Sequence, residues 1–235
     1  MKWSTARGSA VSDARAAILG RLRAADGAAT TKVPHEDFAT VSNRGWSVEE
    51  RLARLRRNME AVHTEFLDAR GADWVRTLHR WMIDQRLPSL VFAPATPVGQ
   101  RLAQTWPELG PKGYGASLVA YDRALADWKG GLFAGSGAGI TGTRGGIAAT
   151  GSLILWTDAD EPRTLSLIPP VHIAVLDVGQ IHDTMLEAMR GQGWTAAMPT
   201  NLVLVSGPSK TADIEQTLAY GVHGPKRLLV VLTES

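Results

Sequence analysis

The densest run of chemically capable residues is Ser206–Glu215, SGPSKTADIE, which follows the apolar segment Asn201–Val205 (NLVLV). A strand ending at Val205 and turning at Gly207–Pro208 would lead into a helix over 211–220, with Ser209 or Thr211 available as its cap. The free amides of such a first turn, with Lys210 beside them, form the local mechanics of a site for phosphate, sulfate or carboxylate. The bland alternative is a well-capped helix in which Asp213 and Glu215 serve only to favour the N-terminus. The run is not a P-loop, which needs glycine where Ser209 and Leu204 stand.

A second cluster is the glycine-rich segment 130–151, GGLFAGSGAGITGTRGGIAATG. Gly135, Gly137 and Gly139 invite a dinucleotide-binding reading, but that reading needs a helix straight after the glycines. Ile140 takes the third glycine position, and Thr141, Thr143, Gly145 and Gly146 argue against a helix. Two readings stay open: a tight hairpin or crossover, or a loop whose amides line a ligand pocket. On the second, Gly139, Thr141, Gly142, Thr150 and Gly151 join Ser206, Gly207, Ser209, Lys210, Thr211 and Asp213 as candidate anion- or ligand-binding residues. Helix N-termini in open α/β folds face the carboxyl ends of strands, so Lys210 and Asp213 are expected beside the loop Gly139–Gly146. His223, in the turn GVHGP, would sit at the other end of the helix, about 15 Å away. It is therefore expected to make a structural or partner contact and not to pair with Asp213.

The chain has 235 residues, 44% of them hydrophobic and 20% charged, with a net charge of +2. That balance suits a globular protein with a core and gives no reason to expect a nucleic-acid partner. The basic cluster Arg44–Arg57 is interrupted by Glu49 and Glu50 and reads as a solvated helix face. There is no cysteine, which excludes disulfides, thiolate nucleophiles and cysteine-held clusters in this chain. The histidines show no helical pair spacing, and Asp158, Asp160 and Glu161 read as a polar turn, so no metal site is expected. No apolar run is long enough to span a bilayer, and a cytoplasmic location is expected.

Positioning these residues falls to elements of changing character. Residues 12–25 form an amphipathic helix, and 26–45 a linker. Ser47, with Glu50 three residues on, opens a long helix by a capping box; Val48, Leu52, Leu55, Met59, Val62 and Phe66 extend its apolar face towards Gly71. A second helix covers about 73–86. Strands are expected at 89–93, 116–121, 131–134, 147–156, 164–168, 172–178, 201–205 and 227–232, and further helices at 97–105, 122–128, 180–190 and 211–220. The domains are then 1–45, an N-terminal helix and linker, and 46–235, helical over 46–87 and α/β over 88–235.

SGPSKTADIE followed by GVHGP, and preceded by GITGTRGGIAATGSLIL and SLIPPVHIAVLD, resembles the LUD domain of the lactate-utilisation protein C family. The resemblance covers most of residues 47–235. Members commonly carry an acid where this chain has Ala149, and Gly–Thr where it has Gly151–Ser152, so a role for that acid does not transfer. The resemblance implies an open, mostly parallel or mixed α/β sheet flanked by helices, like the ribose-phosphate isomerase and CoA-transferase group. It also implies a part in oxidising L-lactate to pyruvate with iron–sulfur companion proteins, and no cofactor in this chain. The alternative is a stand-alone enzyme or binder for a phosphorylated or CoA-linked small molecule.

Overall fold

The computed structural model describes residues 8–26, 38, 42, 44–110, 115–122, 137–212, 218–221 and 223–234. The chain divides into two units, Met1–Thr40 and Val41–Ser235. The first contains helix α1 (Gly8–Asp26), whose Ile18 and Leu22 are exposed. The expected strand 131–134, helix 122–128 and most of the linker lie outside the described residues.

The second unit is built on a six-stranded sheet. Its strands are β1 (Glu65–Asp68), β2 (Ser89–Phe92), β3 (Ser117–Ala120), β4 (Ala138–Thr141), β7 (Val171–Asp177) and β12 (Arg227–Thr233). They lie in the order β1-β12-β7-β4-β2-β3, and every pairing is parallel. Parallel strands are covered on both faces, which is why RLLVVLT and VHIAVLD are almost unbroken apolar runs. Along β12, Leu229 and Val231 enter one core with Val75, Leu78 and Met82 of α3 (Trp74–Asp84) and Leu102 of α4 (Pro97–Thr105). Leu228, Val230 and Leu232 enter a second core on the opposite face. There they meet Leu52, Leu55 and Met59 of α2 (Val48–Glu60). The alternation of side chains along a strand sorts these residues between the faces.

A smaller mixed sheet, in the order β8-β5-β6-β9, completes that second face. It consists of β5 (Gly146–Ile147), β6 (Ser152–Thr157), β8 (Ile181–His182) and β9 (Asn201–Val205). Among the described residues there are also two short helices, α5 (Thr164–Leu167) and α6 (Met185–Gly191), and β10 (Lys210–Ala212) and β11 (Leu218–Tyr220) form an antiparallel pair. Asp183, fully buried, fastens α2 to this layer. It accepts hydrogen bonds from the Arg44 amide and from Arg51 Nε, both at 2.6 Å. Burial alone would raise the Asp183 carboxyl, but these bonds outweigh it and hold the group below its ordinary value.

Several expectations are met. The Ser47–Glu50 capping box is present, and α4 spans 97–105 as expected. Others are corrected. The helix opened by Ser47 ends at Glu60, His63 takes a left-handed backbone with φ 70°, and Phe66 belongs to β1, paired with Val230. Val62 and Phe66 continued the helical spacing by coincidence, so the first part of the domain is α–β–α and not wholly helical. The stretch 147–156 is broken by a turn into β5 and β6. Residues 164–168, expected as a strand, form α5, whose first turn is started by the bond from the Leu165 amide to the Pro162 carbonyl. The helix expected over 180–190 begins only at Met185, because Ile181–His182 pair with β5.

Candidate active site

A cleft with a volume of about 620 Å³ opens at the carboxyl edge of the parallel sheet. Its walls come from the segments that follow the strands: Trp74 after β1, Ala95–Val98 after β2, Gly142–Arg144 after β4, Asp177 at the end of β7 and Thr233 at the end of β12. From β2 the chain leaves through α4 to β3, on one side; the sheet continues from β4 to β7 on the other. The adjacent pair β2 and β4 is thus a topological switch point, where open α/β sheets place their ligands. The N-terminus of α4 faces the cleft, capped by Thr96, whose hydroxyl accepts the Gly99 amide at 3.0 Å.

Glu161 contributes the most perturbed acid of this cleft. Oε1 accepts the amide proton of Gly142 at 2.8 Å. Burial pushes the carboxyl up to about 7, and the nearby Asp158 adds to the rise, while the Gly142 bond opposes it. A carboxyl that titrates near neutrality inside a cleft can act as a proton donor or acceptor. Asp158 Oδ1 accepts the amides of Asp160 and Glu161 and so shapes the turn that delivers Glu161. Two cations share the walls. The Arg144 guanidinium lies 4.9 Å from the centre of the Trp156 ring, and Arg101 Nη2 is 3.6 Å from Asp73. Among the described residues no group of His, Asp or Glu is arranged to hold a metal ion.

The residues singled out from sequence separate into three places. Among the described ones, Gly142 alone lines this cleft. Gly139 and Thr141 lie behind it on β4. A Cβ on Gly139 would come within 2.4 Å of the Leu165 carbonyl oxygen, so this glycine permits close packing of α5. Thr141 Oγ1 is 2.9 Å from Nε2 of the buried His172, whose protonation burial depresses to about 4. The expected hairpin-or-crossover reading of the glycine-rich segment holds for Gly139–Gly151: it forms β4, β5 and the turn into β6, with no helix after the glycines.

Thr150, Gly151 and Ser206 gather at the opposite end of β6 from Trp156, about 13 Å along the strand. Thr150 Oγ1 donates to Ser152 Oγ at 3.0 Å, Ser152 and Ser206 share a bond of 2.9 Å, and Thr64 donates to the Ser206 carbonyl. Gly207 packs beside Val62.

Ser209, Lys210 and Thr211 occupy the third place, where residues 211–212 and 218–220, expected within one helix, lie in strands β10 and β11. Lys210 and Thr211 pair with Tyr220 and Ala219 across the β10–β11 hairpin. No helix N-terminus exists at Ser209 to present amides. The Ser209 amide instead bonds the Pro225 carbonyl, and the Ser209 carbonyl accepts the Gly221 amide, both at 2.9 Å. SGPS and GVHGP therefore clasp one another where β12 begins, at the amino edge of the sheet. The cleft lies at the carboxyl edge, about 20 Å away along β12. Lys210 does not join the glycine-rich loop in the cleft, His223 is exposed in its turn, and Asp213 lies outside the described residues. Sequence reasoning missed Glu161 by reading Asp158–Glu161 as a polar turn. The signal that could have found it is the acid-rich turn between β6 and the apolar stretch TLSLI.

The fold is thus an open parallel α/β sheet with a cleft at its switch point. Residues 52–233 match the family model of the LUD domain, and the chain belongs to that family. It is 36% identical over 222 residues to an uncharacterised protein of Neisseria meningitidis serogroup B, covering 93% of this chain and 92% of that one. It is 25% identical over 228 residues to "Lactate utilization protein C" of Bacillus subtilis, covering 92% of each. A crystal structure of a "duf162 family protein" from Deinococcus radiodurans superposes with a TM-score of 0.56 at 22% identity, over 80% of this chain and 99% of that one, and shares the fold. Among the described residues no helix is long and apolar enough to cross a membrane.

Proposed function

We propose that the chain serves L-lactate utilisation as a component with no redox centre of its own, acting with iron–sulfur companion proteins as lactate is oxidised to pyruvate. The observation that carries this reading is a relative named for lactate utilisation that matches across nine-tenths of both chains. The absence of cysteine supports the division of labour, since thiolate-held clusters must then come from other chains. The cleft supplies a place for a small carboxylate: cationic Arg101 and Arg144, and a carboxyl in Glu161 that exchanges protons near neutrality.

A second reading, a binder or enzyme for a phosphorylated or CoA-linked molecule, draws on the cleft's size. Pockets of about 300–1,000 Å³ hold drug-sized ligands, and lactate alone would fill a small part of 620 Å³. Affinity purification from the native cell, with mass spectrometry of bound proteins and extracted small molecules, separates the two. Iron–sulfur proteins in the eluate support the first; a phosphorylated or CoA-linked compound without them supports the second. The purified chain is expected to be colourless and inert towards L-lactate with an artificial acceptor. Robust lactate oxidation by the isolated chain would overturn the first reading.

A further inference from the structure

Glu161 sits in the cleft with one carboxyl oxygen committed and one available. Oε1 is held by the Gly142 amide, whereas among the described residues Oε2 accepts no hydrogen bond. Both oxygens lie within 4 Å of the place a Cβ would take on Gly142, so the carboxyl is fixed against the end of β4. An ionised carboxylate can only accept hydrogen bonds, whereas a protonated one also donates. A 2-hydroxy acid presents a hydroxyl that can donate; the matching 2-oxo acid presents a carbonyl that can only accept. We propose that Glu161 is the group by which the cleft distinguishes these two ligands. Ionised, it accepts the hydroxyl proton of the 2-hydroxy acid; protonated, it donates its own O–H to the keto oxygen of the 2-oxo acid. Arg101 and Arg144 are the cations available for the carboxylate that both ligands share. This rests on the reading of the cleft as the carboxylate site given above.

Among the described residues, the charged groups that share the cleft walls with Glu161 are Arg101 from α4, Arg144 after β4, Asp177 at the end of β7, and Asp158 and Asp160 on its own turn. The two arginines favour an ionised Glu161 and the three aspartates a protonated one, and burial adds to the second tendency. Burial raises the carboxyl to about 7, with Asp158 adding to the rise and the Gly142 amide opposing it, so both forms are populated in the neutral range.

Titration calorimetry of the full chain with L-lactate and with pyruvate, at about pH 6 and about pH 8, tests this. Pyruvate affinity is expected to fall about tenfold over that interval and lactate affinity to rise by a similar factor, as the protonated fraction of Glu161 drops. In Glu161→Gln the amide both donates and accepts at every pH, so both dependences should vanish. Affinities for the two acids that move in parallel, or an opposed dependence that survives in Glu161→Gln, would overturn the proposal. Binding of both acids with no pH dependence in the wild type overturns the role of Glu161 but leaves the carboxylate site standing. No saturable binding of either acid at either pH overturns the carboxylate site, and the proposal with it.

Discussion

The carboxyl of Glu161 accepts the amide proton of Gly142 at 2.8 Å, across nineteen residues of chain. The bond joins the turn after β6, in the mixed sheet, to the end of β4, in the parallel sheet. It makes the cleft a joint product of both sheets.

Glu161 and His172 have opposite consequences for stability. The folded value of Glu161, about 7, lies above the unfolded value of about 4.3. Its contribution is therefore complete below about pH 4.3 and is lost as pH rises through about 7. His172, at about 4 in the fold against about 6.5 unfolded, contributes stability that is complete above about pH 6.5 and lost as pH falls towards about 4. Glu161→Gln is expected to gain stability on the wild type as pH rises from about 4.3 to about 7, because the mutant has no charge to bury. Urea midpoints across the pH range should show the difference widening between about pH 4.3 and about pH 7 and level above that. A difference independent of pH would contradict the burial of this carboxyl. In the mutant, the rise in stability between about pH 4 and about pH 6.5 should remain, since His172 produces it.

Arg51→Leu leaves Asp183 in the interior without its guanidinium partner. Removing one member of a buried pair typically costs about 3–5 kcal/mol, and Asp183 is fully buried against an Arg51 side chain that is 20% exposed. Chemical denaturation should show a loss in that range. Because the Arg44 and Trp46 amides also bond Asp183, the segment before α2 should lose hydrogen-exchange protection first.

Gly139→Ala places a methyl against the Leu165 carbonyl oxygen and the Pro169 ring, at 2.4 and 2.7 Å. The oxygen is backbone and cannot swing aside. A loss of about 1–3 kcal/mol, typical of overpacking, is expected by urea denaturation. A neutral result would mean that α5 shifts freely on β4.

Lys210→Met should leave carboxylate binding in the cleft unchanged by calorimetry. Lys210 is exposed on β10 at the amino edge of the sheet, and the cleft is at the carboxyl edge. A marked loss of affinity would place the ligand at the hairpin and not in the cleft.

Much of the scaffold was legible because its signals are local. The Ser47–Glu50 capping box, the start of α4 at Thr96–Pro97 and the apolar runs of β2, β7 and β12 each follow from a few neighbouring residues and the periodicity of one element. The family, too, was legible from contiguous motifs. What failed were stretches whose local preference was overruled by distant partners. Phe66 continued a helical spacing yet pairs with Val230, and 211–220 carried good caps yet its described residues 211–212 and 218–220 pair as strands, next to Ser209, which is clasped to Pro225. The candidate site was hardly legible at all. Glu161 looks like any acid in a polar turn, and its unusual proton affinity arises from burial and from Asp158, against the opposing bond of the Gly142 amide. By itself the sequence determined which segments are apolar enough to be strands of a doubly covered sheet, and that the chain holds no cysteine. Tertiary structure alone decided that Gly142, Arg101, Arg144 and Glu161 share one cleft while Ser209 and Lys210 stand at the other edge. Burial and proximity across the sheet depend on how parallel strands are ordered, and no local pattern encodes that order.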